Sequence, residues 1–430
     1  MKKFFKLNEH NVTVKSELLA AFTSFFAAVY IIVVNANILS ASGAKMEPLI
    51  LATVFASLIG CILVALISNA PLAIMPGMGI NALFTYTIVK TMGLSFNEAL
   101  AAVFVAGILF CIVAFTPLAD IITKSISHNL KESISVGIGL FITFIGLKNC
   151  GFLLPDSSTI IKLANLGDPT IIAFILAMIL TIVLFIMNVP GAFLISIIGG
   201  TIISVFLGIV DLSTLSFSLP NFNEYNEIFF AMDFGNINSI SFWVATFSLT
   251  LVLIFENIGL LHGQVNGLLN APHKTKKALH AVAISSALCG ILGTSPSVST
   301  VECAAGIAQG GKTGLTALFT GFLFLLSLFF IPVIKIIPPA AISPVLVIIG
   351  CLMMSNVTNI DFKDFTEALP SFLIIVLIPL TFSIVDGIAF GFISYPIAKF
   401  AAKKHKEVSL ATYCISVIFL IYFVLHVINT

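Results

Sequence analysis

Three carboxylates stand inside apolar stretches, where a charge is expensive: Glu256 in "LTLVLIFENIGLLHG", Glu302 in "SPSVSTVECAAG" and Asp386 in "SIVDGIAFG". An ionised side chain at the centre of a bilayer costs about 2.5–3.5 kcal/mol on insertion scales, so such residues usually face a cavity and mark an ion or substrate path. Two kinds of chemistry are open to a carboxylate there. It accepts hydrogen bonds from the N–H groups of a ligand, and it takes up a proton. Glu256 reads as such a group, with an acid at the membrane edge bonded to a neighbouring helix as the alternative. Glu302 follows serines and threonines that can cap the half-helix after it, and a helix N-terminus favours an anion. Its alternative is a capping carboxylate without a ligand. Asp386, at a join between two segments, reads as a solvated turn, and His262 as an interfacial histidine rather than a proton relay.

The other candidate positions lie in "APLAIMPGMGINALFTY" (70–86). Gly77 and Gly79 allow extended backbone and close approach of a ligand, and the Asn81 amide offers both a donor and an acceptor. Phe84 and Tyr86 can stack on a planar ring, although with 40 phenylalanines in the chain a nearby aromatic carries little weight. Gly306 to Thr313 satisfies the phosphate-loop pattern G-x-x-x-x-G-K-[ST]. That motif needs a preceding strand in a soluble α/β setting, and here it lies between two apolar segments. It is read as a coincidence, with Lys312 an inner-loop charge. No H-E-x-x-H, paired-Asp motif or G-x-S-x-G is present, so no enzyme activity, catalytic residue or metal site is expected.

The elements that must position these groups are membrane spans. The chain has 430 residues, of which 59% are hydrophobic and only 9% charged, against about 25% charged in a soluble domain. Mean hydropathy is +1.15. Net charge is +1, which points to no nucleic-acid partner, and all 20 basic residues are lysines. Without arginine, the usual bidentate donor for phosphate or carboxylate is missing. The cysteines (Cys61, Cys111, Cys150, Cys289, Cys303, Cys351 and Cys414) are scattered singly and read as buried small apolar residues. The basic, amphipathic N-terminus lacks a small-residue cleavage site, so no cleaved signal peptide is expected.

Fifteen candidate spans can be drawn, the third (77–92) and tenth (299–310) too short or too rich in Gly and Pro for ordinary helices. With the N-terminus inside, inner segments receive Lys2, Lys3, Lys6, Lys15, Lys124, Lys131, Lys274, Lys276, Lys277, Lys312, Lys363, Lys399, Lys403, Lys404 and Lys406. Outer loops receive only Lys45, Lys90, Lys148, Lys162 and Lys335. That bias follows the positive-inside rule. "NVPGAFLISII" (188–198) resembles "IVDGIAFGFIS" (384–394), each joining the last two spans of a half, and each half places its broken segment third. Paired interrupted segments are a sequence pointer to a transporter's binding site. The expected architecture is an all-α polytopic membrane protein of about 14 spans in two seven-span repeats, the second inverted. Its parts are a cytoplasmic segment 1–16, the first repeat 17–210, an extracytoplasmic loop 211–238, the second repeat 239–402, and a basic C-terminal segment 403–430 with one extra hydrophobic helix.

"FFKLNEHNVTVKSELLAAFTSFFAAVYIIVVNANILSASG", "APLAIMPGMGINALFTY", "GTSPSVSTVECAAGIAQGGKTGLTAL" and "EALPSFLIIVLIPLTFSIVDGIAFGFISY" together resemble the hypoxanthine–guanine (AzgA-like) permeases. These belong to the nucleobase–cation symporter superfamily, with the uracil and xanthine permeases. The resemblance runs from about residue 4 to residue 402. It implies core and gate domains, a short strand and a half-helix in each of the third and tenth spans, and a nucleobase held between them. It also implies a homodimer through the gate domain, a proton as the coupling ion with no cofactor, and residence in the cell membrane. The family's acids fall at Glu256 and Glu302, both assigned to substrate binding and proton coupling, and the Asn of its P-G-M-G-x-N-A motif falls at Asn81. Two departures touch the pocket. "LIFENIG" has Leu253 where the family carries a first acid, a form closer to uracil and xanthine permeases, and "STVEC" has Thr300 in place of an aromatic. The reading is proton-coupled uptake of hypoxanthine, guanine or adenine, with uracil or xanthine as the alternative and an anion transporter or channel of similar fold as the distant one.

Overall fold

A computed structural model describes residues 3–119, 125–214 and 220–429, without the side chains of 214 and 425–429. Lys2 and Lys124, both counted in the expected topology, lie outside these residues, as do 215–219 of the segment expected to form an extracytoplasmic loop. The first apolar segment is two helices, α1 (Val14–Ala28) and α2 (Tyr30–Ser40), with one non-helical residue between them. The Thr13 hydroxyl caps α1 by accepting from Ser16 N at 3.1 Å. Next come α3 (Met46–Ser68), the strand β1 (Ile74–Pro76), the short α4 (Met78–Ala82) running into a wide π-helical turn, α5 (Phe96–Phe115) and α6 (His128–Asn149). After the hairpin β2 (Leu153–Asp156) and β3 (Ile160–Leu163) come α7 (Pro169–Ile186), α8 (Ala192–Phe206) and the single turn α9 (Phe222–Tyr225).

The second half of the chain follows. It contains α10 (Ile240–Leu261), α11 (Thr275–Leu292), β4 (Ser297–Ser299), α12 (Cys303–Ala308), α13 (Gly314–Leu326), α14 (Ile331–Lys335) and α15 (Pro339–Met354). Then follow α16 (Phe365–Thr381), α17 (Ile384–Ala401) and α18 (Leu410–Asn429). Among the described residues, nine helical stretches are long and apolar enough to cross a membrane. The chain is therefore a multi-pass membrane protein, mostly helical.

Two sets of helices pack separately. In the first, α11 lies on α5 and α3, α13 on α3 and α1, and α10 on α5; in the second, α15 and α16 lie on α6, α17 on α16, and α7 on α8. Small residues let backbones meet, as is usual where lipid supplies no drive for helices to associate. A Cβ on Gly107 would lie 2.3 Å from the Ala287 Cα, and one on Gly350 would lie 2.4 Å from the Gly139 carbonyl oxygen.

β1 and β4 pair antiparallel, Ile74 opposite Ser299 and Pro76 opposite Ser297. Proline explains why these stretches are not helix: Pro71 and Pro76 in one and Pro296 in the other remove N–H donors and clash with the preceding turn.

Several expectations are corrected. The all-α reading omits the β2–β3 hairpin, which forms through turn chemistry rather than hydrophobic periodicity. Asp156 accepts from Ser158 N and Thr159 N, both at 3.2 Å, and pairs with Lys162 at 2.9 Å. The Ser158 hydroxyl and the Lys162 ammonium hold its carboxyl well below the usual carboxylate range. Cys351 and Cys414 are exposed and Cys111 is half-buried, because all three lie on outward helix faces. Asp386 is no solvated turn: it stands half-buried in the first turn of α17, its N–H bonded to the Ser383 cap at 3.1 Å. The acids inside the protein are also more than three, since Glu17 is fully buried and Glu47 and Glu98 nearly so.

The α5–α11 contact gives a direct check. Gly107→Val would push a branched side chain into the α11 backbone, where overpacking costs about 1–3 kcal/mol or more. The expected outcome is a lower melting temperature and less folded protein in detergent, read by fluorescence-detected size exclusion.

Candidate functional site

Breaking two helices inside an apolar layer frees backbone groups that lipid cannot satisfy. Side chains of the surrounding helices take them up. Asn257 of α10 accepts from Ser299 N at 3.1 Å and donates to Leu253 O at 2.9 Å. Gln264 donates to Thr300 O at 2.6 Å and accepts from the Ser299 hydroxyl at 2.6 Å. Ser286 of α11 donates to Ser297 O at 2.6 Å, and the Cys303 thiol bonds both the N–H and the carbonyl of Ala73. Sequence reasoning missed Gln264. Its only signal was a polar residue eight positions beyond Glu256, in "HGQVNG".

On this frame the structure places the predicted residues unequally. Glu256, half-buried near the end of α10, turns its carboxylate to the start of α4. Its oxygens lie 3.6 Å and 3.9 Å from where Cβ atoms on Gly77 and Gly79 would be. Among the described residues it has no hydrogen-bond or ion-pair partner. Gly79 also meets α6 of the other helix set, its Cβ position 2.8 Å from Ile138 Cγ2. Glu256, Gly77 and Gly79 therefore share one place, at the junction of the two sets.

Glu302 stands at the N-cap of α12, and its carboxylate accepts a hydrogen bond from the Tyr30 hydroxyl. The half-helix has no side-chain cap; the expected serine and threonine caps are instead spent on strand and loop. Tyr30 was not anticipated, though a lone tyrosine in "AAVYIIVVNAN" was the available signal. It begins α2 just after the break, and its ring meets Phe193 of α8 edge-on at 5.1 Å. Tyr30 thus touches Glu302 on its own helix set and Phe193 on the other.

The remaining candidates do not face these acids. Asn81 is fully buried and accepts from the Ser295 hydroxyl at 2.5 Å. That bond joins a network in which Asn35 donates to Thr53 Oγ1 at 2.7 Å and to Thr294 Oγ1 at 3.1 Å. Asn81 thereby ties the loop before β4 to the first and third segments. Phe84 is 0% exposed and packs edge-on against Phe96 at 5.4 Å, so neither ring face is open. The Tyr86 hydroxyl accepts from Asn149 at 3.2 Å. Thr300 contributes its carbonyl to Gln264, and its hydroxyl lies 3.8 Å from the Cys303 sulfur. His262 is exposed on the wide turn after α10.

Comparison with known proteins matches residues 15–390 to the Xan_ur_permease model, described as a permease family. The chain belongs to the xanthine/uracil permease family. It is 44% identical over 382 residues to a protein of Paenibacillus larvae named nucleobase transporter PlAzg2, covering 89% of this chain and 76% of that one. It is 39% identical to the guanine/hypoxanthine permease PbuO of Bacillus subtilis, over 97% of this chain and 99% of that protein. Among solved structures, the transmembrane domain of the cyanobacterial bicarbonate transporter BicA superposes with a TM-score of 0.66 at 15% identity, covering 87% of this chain and 97% of that one. At that identity the likeness concerns the fold alone.

Tyr30→Phe keeps the ring against Phe193 and removes the hydroxyl that Glu302 accepts from. A hydrogen bond to a charged group is worth about 1.5–3 kcal/mol. The variant is expected to fold and to lose about tenfold or more in transport per folded molecule; wild-type transport would show that this hydroxyl has no part in function.

Proposed function

We propose that this permease imports purine nucleobases, hypoxanthine and guanine first and adenine third, by proton symport through alternating access. The observation that carries the proposal is the Glu256 carboxylate, unpartnered among the described residues, facing Gly77 and Gly79 at the junction of the two helix sets. A purine base presents ring and exocyclic N–H groups along one edge, and a carboxylate accepts two such bonds side by side. The glycines keep that space free of side chains. The names of relatives at 44% and 39% identity, a nucleobase transporter and a guanine/hypoxanthine permease, point the same way.

In this reading Glu302 takes up the coupling proton, and Tyr30 reports its state to Phe193 across the junction. The set holding both broken segments acts as the core and the other as the gate, in 14 spans arranged as two inverted repeats. The N-terminus is cytoplasmic, the chain sits in the cell membrane, a homodimer forms through the gate, and no cofactor takes part. "FENIG" favours uracil or xanthine as the second reading.

The test is uptake of radiolabelled hypoxanthine into cells lacking their own base permeases, with unlabelled guanine, adenine, xanthine and uracil as competitors. Saturable uptake blocked by guanine or adenine is expected, with uracil and xanthine weaker. Competition mainly by uracil or xanthine would move the substrate assignment, and no uptake of any base would overturn it. Coupling is checked separately: an uncoupler should abolish accumulation, and Glu302→Gln should lose concentrative uptake. Accumulation that survives both would remove the proton from the mechanism.

A further inference from the structure

The loop with the phosphate-loop pattern does hold an anion, and the anion belongs to the same chain. Glu17, in the first turn of α1, is fully buried. Its Oε1 accepts from Lys312 N at 3.0 Å. Its Oε2 accepts from Thr313 N at 3.3 Å, Thr313 Oγ1 at 2.8 Å, Thr316 N at 3.2 Å and Thr316 Oγ1 at 2.6 Å. Hydrogen bonds to an ionised acceptor are roughly twice as strong as neutral ones. Neighbouring contacts brace the same loop: Lys274 donates to Lys312 O at 3.0 Å and to Asn69 O at 2.6 Å, and the Asn69 side chain accepts from Gly314 N at 2.7 Å.

This loop closes α12, the half-helix that begins at Glu302. With six residues and no side-chain cap, α12 cannot fix its own position. The first segment supplies the restraint along its whole length. At the far end Glu17 holds the loop. In the middle, a Cβ on Gly306 would lie 1.9 Å from Ser24 Oγ and one on Gly311 would lie 3.0 Å from Ala20 Cβ. At the near end Tyr30 bonds Glu302.

We infer that Glu17 is a positioning residue for Glu302: by seating the loop after α12, it sets where α12 starts and where the Glu302 carboxylate lies. Glutamine at 17 keeps the size but replaces an oxygen acceptor with an NH2 group aimed at N–H and O–H donors. The transport readout of this inference rests on the nucleobase-import reading; the labelling readout below does not.

The experiment measures KM and maximal rate of hypoxanthine uptake for wild type, Glu17→Gln and Glu17→Asp, with the amount and melting temperature of folded protein. A misplacement near 1 Å at a reacting group costs up to about a hundredfold. Glu17→Gln is therefore expected to raise KM about tenfold or more in molecules that still fold, with Glu17→Asp between it and wild type. A purely structural role would lower the folded amount and leave KM of the survivors unchanged, which would overturn the inference. The second readout needs no transport: Val301→Cys, beside Glu302 and 63% exposed, is labelled with a maleimide in a background lacking the exposed Cys351 and Cys414. A labelling rate altered by Glu17→Gln supports the inference, and an unaltered rate overturns it whatever KM does. If wild type takes up no base, the import reading fails and labelling alone decides this one. Should Glu17→Gln not fold, Thr316→Val removes one donor while keeping the shape, and the same outcomes apply to it.

Discussion

Two segments of this protein stop being helices part-way through an apolar layer, and every backbone group they release needs a protein partner. That requirement organises the molecule. In hydrocarbon an unsatisfied N–H or C=O costs several kcal/mol, so a break of even three residues recruits polar side chains from around it. Asn257, Gln264, Ser286 and Cys303 are bound to backbone atoms of the two breaks, and none of them is then free for a ligand. The breaks also support each other, because β1 and β4 pair directly.

Against this background the free acid stands out by contrast. Most buried polar groups near the ribbon are already bonded within the protein, whereas Glu256 is left facing a space lined by two glycines. Satisfying such a group takes a ligand, a proton or water. Glu302 is in a different position: Tyr30 partners it, and Tyr30 in turn rests on the opposite helix set. One acid is open and the other is wired to the junction. Within the proposed mechanism that difference separates a binding role from a coupling role, although the two residues look equivalent when read as acids in apolar runs.

The membrane class and the two interruptions, at Ile74–Pro76 and Ser297–Ser299, were legible because they are written in local composition: apolar runs broken by Pro and Gly clusters. Positions whose meaning depends on a distant partner were not. Asn81 follows two glycines and looks like a ligand group, yet its partner Ser295 lies 214 positions away and makes it a structural tie. Phe84 looks like a stacking platform until Phe96 is placed against it. Tyr30 gave almost no signal, being one tyrosine in an apolar helix whose partner is 272 positions on. The β2–β3 hairpin escaped because turn chemistry, not periodicity, creates it.

The G-x-x-x-x-G-K-T stretch shows why a motif can be wrong about a ligand and right about the chemistry. Glycines before a helix start leave backbone N–H groups unpaired and aimed at one spot, and that spot attracts an oxygen anion of any origin. In a soluble nucleotide-binding domain the anion is a phosphate from outside. Here the loop is packed against α1, and Glu17 fills the place from 295 positions away. The pattern encodes donors, and only the fold decides who accepts. The same distinction separates Glu256 from Glu17: both are carboxylates inside an apolar protein, but Glu17 meets five donors of its own chain while Glu256 meets two glycines. The sequence singled out Glu256 and passed over Glu17, and the packing shows that Glu17 is the one already spoken for.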